Sequence, residues 1–130
     1  MNNLIFKLVF LGIFAVPSWA FASSAVEEEF CAQLKSANAE LEDTLLQIKQ
    51  KKNDDSVFLM ALTNSQEQWM QYVDAEVLMQ FPSQRVIDYG SVLPMCQCIT
   101  RLGLTQERIT TLKQWLEPVV EGDVCTGSKR

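Results

Sequence analysis

Histidine is absent from all 130 residues. That removes the imidazole on which much general-base catalysis, the Ser-His and Cys-His dyads and the common zinc sites depend. Glycine is scarce at 5 residues, and neither a phosphate-cradling loop nor a dinucleotide turn can be found. No segment alternates apolar and polar residues long enough to read as a strand, and there is no internal repeat or low-complexity stretch. Positive charge is short as well: 11 Lys and Arg face 16 Asp and Glu, for a net charge of −5. Nucleic acid and anionic membrane surfaces are poor partners for such a chain, whereas a basic protein is electrostatically welcome. The carboxylates are plentiful, but they fall in solvated positions: Glu27 to Glu29, Glu40, Glu42 and Asp43, and the Asp54-Asp55 pair. Paired-carboxylate catalysis is therefore not read from them. The pattern is that of a binding module, not an enzyme, with no cofactor and no metal site.

Long apolar runs are missing too, and the longest stretch without a polar side chain is instructive. Leu8 to Val16 gives nine such residues, far short of the ~20 that span a bilayer. It comes after a start that carries Lys7 and no acid, Pro17 breaks it, and Ala20-Phe21-Ala22 places small residues at the −3 and −1 positions of a peptidase site. This three-part pattern predicts a cleavable secretory signal peptide over residues 1–22, hence a periplasmic or secreted bacterial protein with no stable membrane insertion after cleavage. Cleavage would remove 22 of 130 residues and leave 108, enough for one domain. Lys7 is the one charge lost, so 10 basic residues would face 16 acidic ones at a net −6.

Past the leader, helical periodicity dominates. Val26, Phe30, Leu34, Ala37, Leu41, Leu45 and Ile48 are spaced by three or four, one face of a long amphipathic helix starting near Ala25. Glu27 to Glu29 suit the first turn of that helix, and Lys49, Lys51 and Lys52 suit its last. Asn53 to Ser56 form a polar break rich in N-cap residues. Phe58, Leu62, Trp69, Val73 and Val77 define a second helix, with Leu59 and Tyr72 broadening its stripe. It ends at Phe81-Pro82, because the residue before proline avoids helical geometry. Residues 83–90 read as a loop with one turn of helix. A third, shorter helix is expected after Gly90-Ser91, burying Val92, Leu93, Cys96 and Ile99 and stopping at Gly103. A last helix is expected to open on Thr105 as N-cap, with Leu104 stapled to Ile109. Ile109, Leu112, Leu116 and Val119 or Val120 would face inward, and Pro118 would fray its end. The predicted fold is an all-α bundle of about four helices, a domain over residues 23–120 followed by a tail over 121–130.

The four cysteines are Cys31, Cys96, Cys98 and Cys125. In an exported chain an even number reads as two disulfides. The Cys96-Gln97-Cys98 spacing lacks the two-residue gap of zinc knuckles. On a helix these two thiols stand about 200° apart, which disfavours joining them. With Cys96 on the inner face beside Val92 and Ile99, the reading favours Cys31–Cys96 and Cys98–Cys125 over the swapped arrangement. On this reading Cys125 pins the tail.

The most distinctive stretch runs from Gln66 to Glu76. Trp69 and Tyr72 lie three apart, and both read as core aromatics of the second helix. The ordered set Gln66, Trp69 and Tyr72, the acidic Asp74-Ala75-Glu76, then Gly90-Ser91, then Leu104-Thr105 with Arg108 and Leu112 resembles the LprI-type lysozyme-inhibitor domain family over roughly residues 59–116. Those are small exported bacterial helical proteins. The resemblance implies a protein-binding module that inhibits a basic, lysozyme-like enzyme; the alternative is a non-inhibitory structural or adaptor protein of the cell envelope. There are departures. The family's arginine after the tyrosine is Val73 here, and two family cysteines fall on Val77 and Thr100. Loss of both sulfurs together is expected if the family bonds them to each other, and it leaves this chain with a bridge set of its own.

Overall fold

The computed structural model describes residues 19–129, with side chains from Val26 onward except that of Glu27. It contains α1 (Trp19–Lys51), α2 (Ser56–Gln80), the single turn α3 (Val86–Tyr89), α4 (Leu93–Lys113) and a closing 3-10 turn, Gly127–Lys129. Among the described residues there is no strand, and the architecture is the expected all-helical bundle. The leader predicted over residues 1–22 lies mostly outside the described residues; its last four form the start of α1.

The polar break works as a cap. Asp55 accepts a hydrogen bond from the Phe58 backbone N–H at 2.9 Å and so starts α2. At the other end Pro82 stops α2 at Gln80. The α3 turn closes on Gly90, whose φ of +80° is a left-handed conformation suited to glycine. Arg85 grips Asp88 across this turn at 3.0 Å, and with the Ser83 hydroxyl it holds the Asp88 carboxyl below its ordinary range.

Ala37, Leu41 and Ile48 of α1, Phe58 and Leu62 of α2 and Leu102, Ile109 and Leu112 of α4 form the principal core. A smaller apolar knot joins Val77 and Phe81 of α2 to Leu93 of α4, with Tyr89 and Cys96 packed against it. The main interface is α4 along α1; α4 meets α2 over a shorter stretch.

Several sequence expectations are corrected. α1 begins at Trp19, not Ala25, so Glu27 to Glu29 lie beyond its first turn, and Val26 is exposed. The third and fourth helices are one: α4 passes through Gly103 without a break. The reason is a continuous buried stripe, Leu102, Thr105, Ile109 and Leu112, whose packing outweighs the roughly 1 kcal/mol helical cost of a glycine. Thr105 is accordingly no cap but a helix-interior residue only 2% exposed, and the Leu104 staple has no helix start to act on. Carried back one turn, that stripe reaches Cys98 rather than Cys96, so Val92 and Ile99 face solvent. α4 ends at Lys113, ahead of Pro118, and Trp115 and Leu116 continue it with tighter bonds to Leu112 and Lys113. Val120 is exposed.

The same change of register corrects the sulfur framework. Cys31 bonds Cys98, with the two Cα atoms 5.2 Å apart, while Cys96 turns to the α2 knot and, like Cys125, is unbridged. The bridge closes a loop of 67 residues between α1 and α4. The tail is therefore not pinned by Cys125. Thr126 is buried, and Lys129 lies over the Trp115 ring at 5.5 Å while donating to Gln114 Oε1 at 3.3 Å.

Replacing both Cys31 and Cys98 with serine is expected to cost on the order of 3–4 kcal/mol, the value for a loop of this length. Denaturant titration of oxidised protein and the double variant measures it. Peptide mapping without reduction should return a Cys31–Cys98 pair; a Cys31–Cys96 peptide would refute this framework.

Candidate functional site

Two grooves flank α2. The first lies between α1 and α2, floored by α4, and has a volume of about 500 Å³. Its walls are Leu34, Leu41 and Leu45 on one side and Trp69, Met70 and Val73 on the other. These positions face each other because each helix places residues three and four apart on one face. Glu42 stands on the α1 rim, and Asp74 on α2 meets Arg101 of α4 at 2.8 Å. The pair is substantially exposed, so it locates the two helices more than it stabilises them. A smaller extension of about 200 Å³ continues the groove past Gln66 and Met70 towards Glu67 and Lys49.

The second groove, of about 680 Å³, lies between α2, α4 and the tail and includes Phe58, Leu62, Leu112, Trp115 and Thr126. Arg108 joins the two. Its Nε donates to Gln66 Oε1 at 3.2 Å, its Nη2 to Ser65 Oγ at 3.1 Å, and its guanidinium carbon lies 6.0 Å from the centre of the Trp69 ring. Burial lowers its pKa, yet a guanidinium stays protonated throughout the ordinary pH range. Gln66 and Trp69 line the first groove and Arg108 the second, so the three form a wall between them.

The structure thus brings Gln66, Trp69 and Arg108 together, residues up to 42 apart in sequence. Thr105 faces the first groove from α4, and Leu112 belongs to the core. Tyr72 departs from expectation: it is 49% exposed and not a core aromatic. The reason is angular. Val73 and Val77 carry the buried face of α2, and Tyr72 lies 100° from Val73 around the helix. Glu76 is half-buried on α2, Leu104 is half-buried on α4, and Gly90 and Ser91 lie in the exposed α3–α4 connection. The Arg108–Gln66 contact is not evident from the sequence. Its only trace there is that both residues sit in the ordered motif.

The positions expected to have lost a cysteine pair carry other contacts between α2 and α4. Val77 is buried in the apolar knot, and the Thr100 hydroxyl hydrogen-bonds Gln80 Oε1 of α2 at 2.7 Å. Among the described residues no cluster of acids and cysteines could hold a metal ion, and no helix is long and apolar enough to cross a membrane.

The fold is a disulfide-tied helical bundle with two open grooves and a wall of paired polar and aromatic side chains between them. The family described as lysozyme inhibitor LprI matches residues 21–112, from the start of α1 nearly to the end of α4, and the chain belongs to that family. It is a family of inhibitors rather than of enzymes. No match was found among curated proteins or solved structures.

A double-mutant cycle over Gln66→Ala and Arg108→Ala should give a coupling of about 1 kcal/mol in unfolding free energy. Additive effects would show that the 3.2 Å contact contributes nothing. Tyr72→Ala should change stability by no more than about 0.5 kcal/mol, as at other exposed positions.

Proposed function

We propose that the mature chain is exported and inhibits a lysozyme-like enzyme by binding it through the acidic rim of the α1–α2 groove. Membership of the inhibitor family over residues 21–112 carries this reading, and the distribution of charge supports it. Several cations are engaged within the molecule. Arg85, Arg101 and Lys113 pair with Asp88, Asp74 and Glu40, and Lys51 donates to the Trp115 and Leu116 carbonyls. Glu28, Glu42, Glu67, Glu107 and Glu117 are exposed and outside any ion pair among the described residues. Each ion pair removes one charge of each sign, so the surface offered to a partner keeps the acidic balance of the whole chain. Lysozymes are commonly basic, so such a surface accelerates encounter and opposes wrong partners.

The alternative, a non-inhibitory adaptor of the cell envelope, draws on Val77 and Thr100, which stand where the resemblance places cysteines. A turbidity assay with mature, folded protein separates the two. Inhibition of at least one lysozyme type, weakening as salt rises from roughly 50 to 300 mM, is the expected result; inhibition of none across several types favours the adaptor. Glu42→Lys combined with Glu67→Lys should slow association several-fold with little change in thermal midpoint, because exposed rim charges act mainly on encounter.

A further inference from the structure

Arg108 and Lys129 are each held against an aromatic ring by neutral partners. Among the described residues neither pairs with a carboxylate. Arg108 has the neutral Gln66 and Ser65 as hydrogen-bond partners and the Trp69 face as its aromatic contact; Lys129 has neutral Gln114 and the Trp115 face. Both line the second groove. Trp115, which carries Lys129, lies two residues past the end of α4 and seven beyond Arg108, so the two cations border the groove at different places along it. Apolar residues, Phe58, Ala61 and Leu62 of α2 with Leu112 and Trp115, share the lining with the hydroxyls of Thr111, Thr126 and Ser128. The Phe58 and Trp115 rings meet at 4.9 Å.

Arg108 has hydrogen-bonding capacity to spare. Of its five N–H groups, Nε–H and one on Nη2 are used, which leaves three. An Nη1 N–H and the second Nη2 N–H can together take a planar, two-oxygen acceptor. A half-buried guanidinium held by neutral groups keeps its full charge facing whatever enters, whereas one paired with a carboxylate would not. Asp55, the carboxylate that lines this groove among the described residues, is engaged at the α2 N-cap.

We propose that the groove between α2, α4 and the C-terminal tail binds a single-chain anionic amphiphile. Its carboxylate or phosphate head meets Arg108, its apolar chain lies along Phe58, Ala61 and Leu62, and Lys129 stands at the far mouth. A volume of about 680 Å³ accommodates a chain of about a dozen carbons with its head group. The negative net charge does not oppose this occupancy, because a neutralising contact at Arg108 acts within a few ångströms while distant surface acids are screened beyond about 8–10 Å. The site is distinct from the acidic rim of the α1–α2 groove, so lysozyme inhibition and amphiphile binding stand or fall separately.

The test is calorimetric titration of the mature protein, with tryptophan fluorescence in parallel, using probes kept below their micelle concentrations. Dodecanoate and lysophosphatidate represent the two head groups, and dodecanol and dodecyltrimethylammonium are the controls. The expected result is saturable one-to-one binding of at least one anion, at least tenfold tighter than either control. The tighter anion identifies the head group. Arg108→Gln should weaken anion binding at least tenfold and leave dodecanol within twofold. Ala61→Phe, at an exposed position that fills the groove, should abolish binding of the anion while the thermal midpoint stays within a few degrees. It keeps the test decisive if Arg108→Gln proves unstable. Equal affinity for dodecanol and the anions, unchanged anion binding in Ala61→Phe, or no saturable binding of either anion would overturn the proposal.

Discussion

The stripe Cys98, Leu102, Thr105, Ile109 and Leu112 on α4 is the contact on which the rest of the molecule depends. It lays α4 along α1, and the Cys31–Cys98 bond fixes that contact towards the N-terminal half of α1. Farther along, Lys113 meets Glu40 and Lys51 reaches the carbonyls just beyond α4, so the pair is held at several heights. A disulfide acts chiefly on the unfolded chain, while the stripe acts through buried apolar area. The two reinforce each other because the sulfur lies in register with the stripe. Once α1 and α4 are one unit, α2 has a surface to dock on, and the grooves on either side of it come from its partial contact with that unit.

That hierarchy accounts for what is legible in the residues. The faces of α1 and α2 are legible because their apolar residues recur at three and four without interruption, and Pro82 gives the end of α2. The α4 stripe is not, since Gly103-Leu104-Thr105 has the local form of a stop followed by a cap. Local rules describe the cost of a glycine and the preference of a threonine; they do not contain the α1 surface whose burial overrides both. The consequence spreads. With the helix cut at Gly103, Val92, Cys96 and Ile99 look like the inner face, and the disulfide falls to the wrong member of a pair two residues apart. A shift of two positions on a helix turns a side chain by 200°, so a sulfur pairing read from sequence is no better than the helix boundary beneath it.

The candidate site is legible in composition and not in geometry. Gln66, Trp69 and Arg108 belong to one ordered motif, yet nothing in their spacing says that a guanidinium from α4 crosses to α2 to meet an amide and an indole. Tyr72 shows the converse. It shares the motif and the helix but turns outward, so being part of the motif does not amount to being part of the wall.

The connection of α2 to α4 has a consequence for both grooves. Among the described residues no disulfide joins these helices. They are held by Phe58 and Leu62 in the principal core, by the knot around Val77, Phe81 and Leu93, by the Thr100–Gln80 hydrogen bond, by the exposed Asp74–Arg101 pair and by Arg108. Each polar contact contributes about 1 kcal/mol or less, against a crosslink worth several. Local stability is uneven in such a structure, and α2 is the long helix without a covalent tie to the rest of the bundle. The two grooves share α2 as a wall, so the firmness of its seat sets how well defined both are. Arg108 stands between them, with its partners Gln66 and Trp69 lining the first groove and its own side chain lining the second. At Val77 and Thr100 the two helices meet through an apolar knot and one hydrogen bond, so how firmly α2 is held there rests on packing and not on a covalent bond.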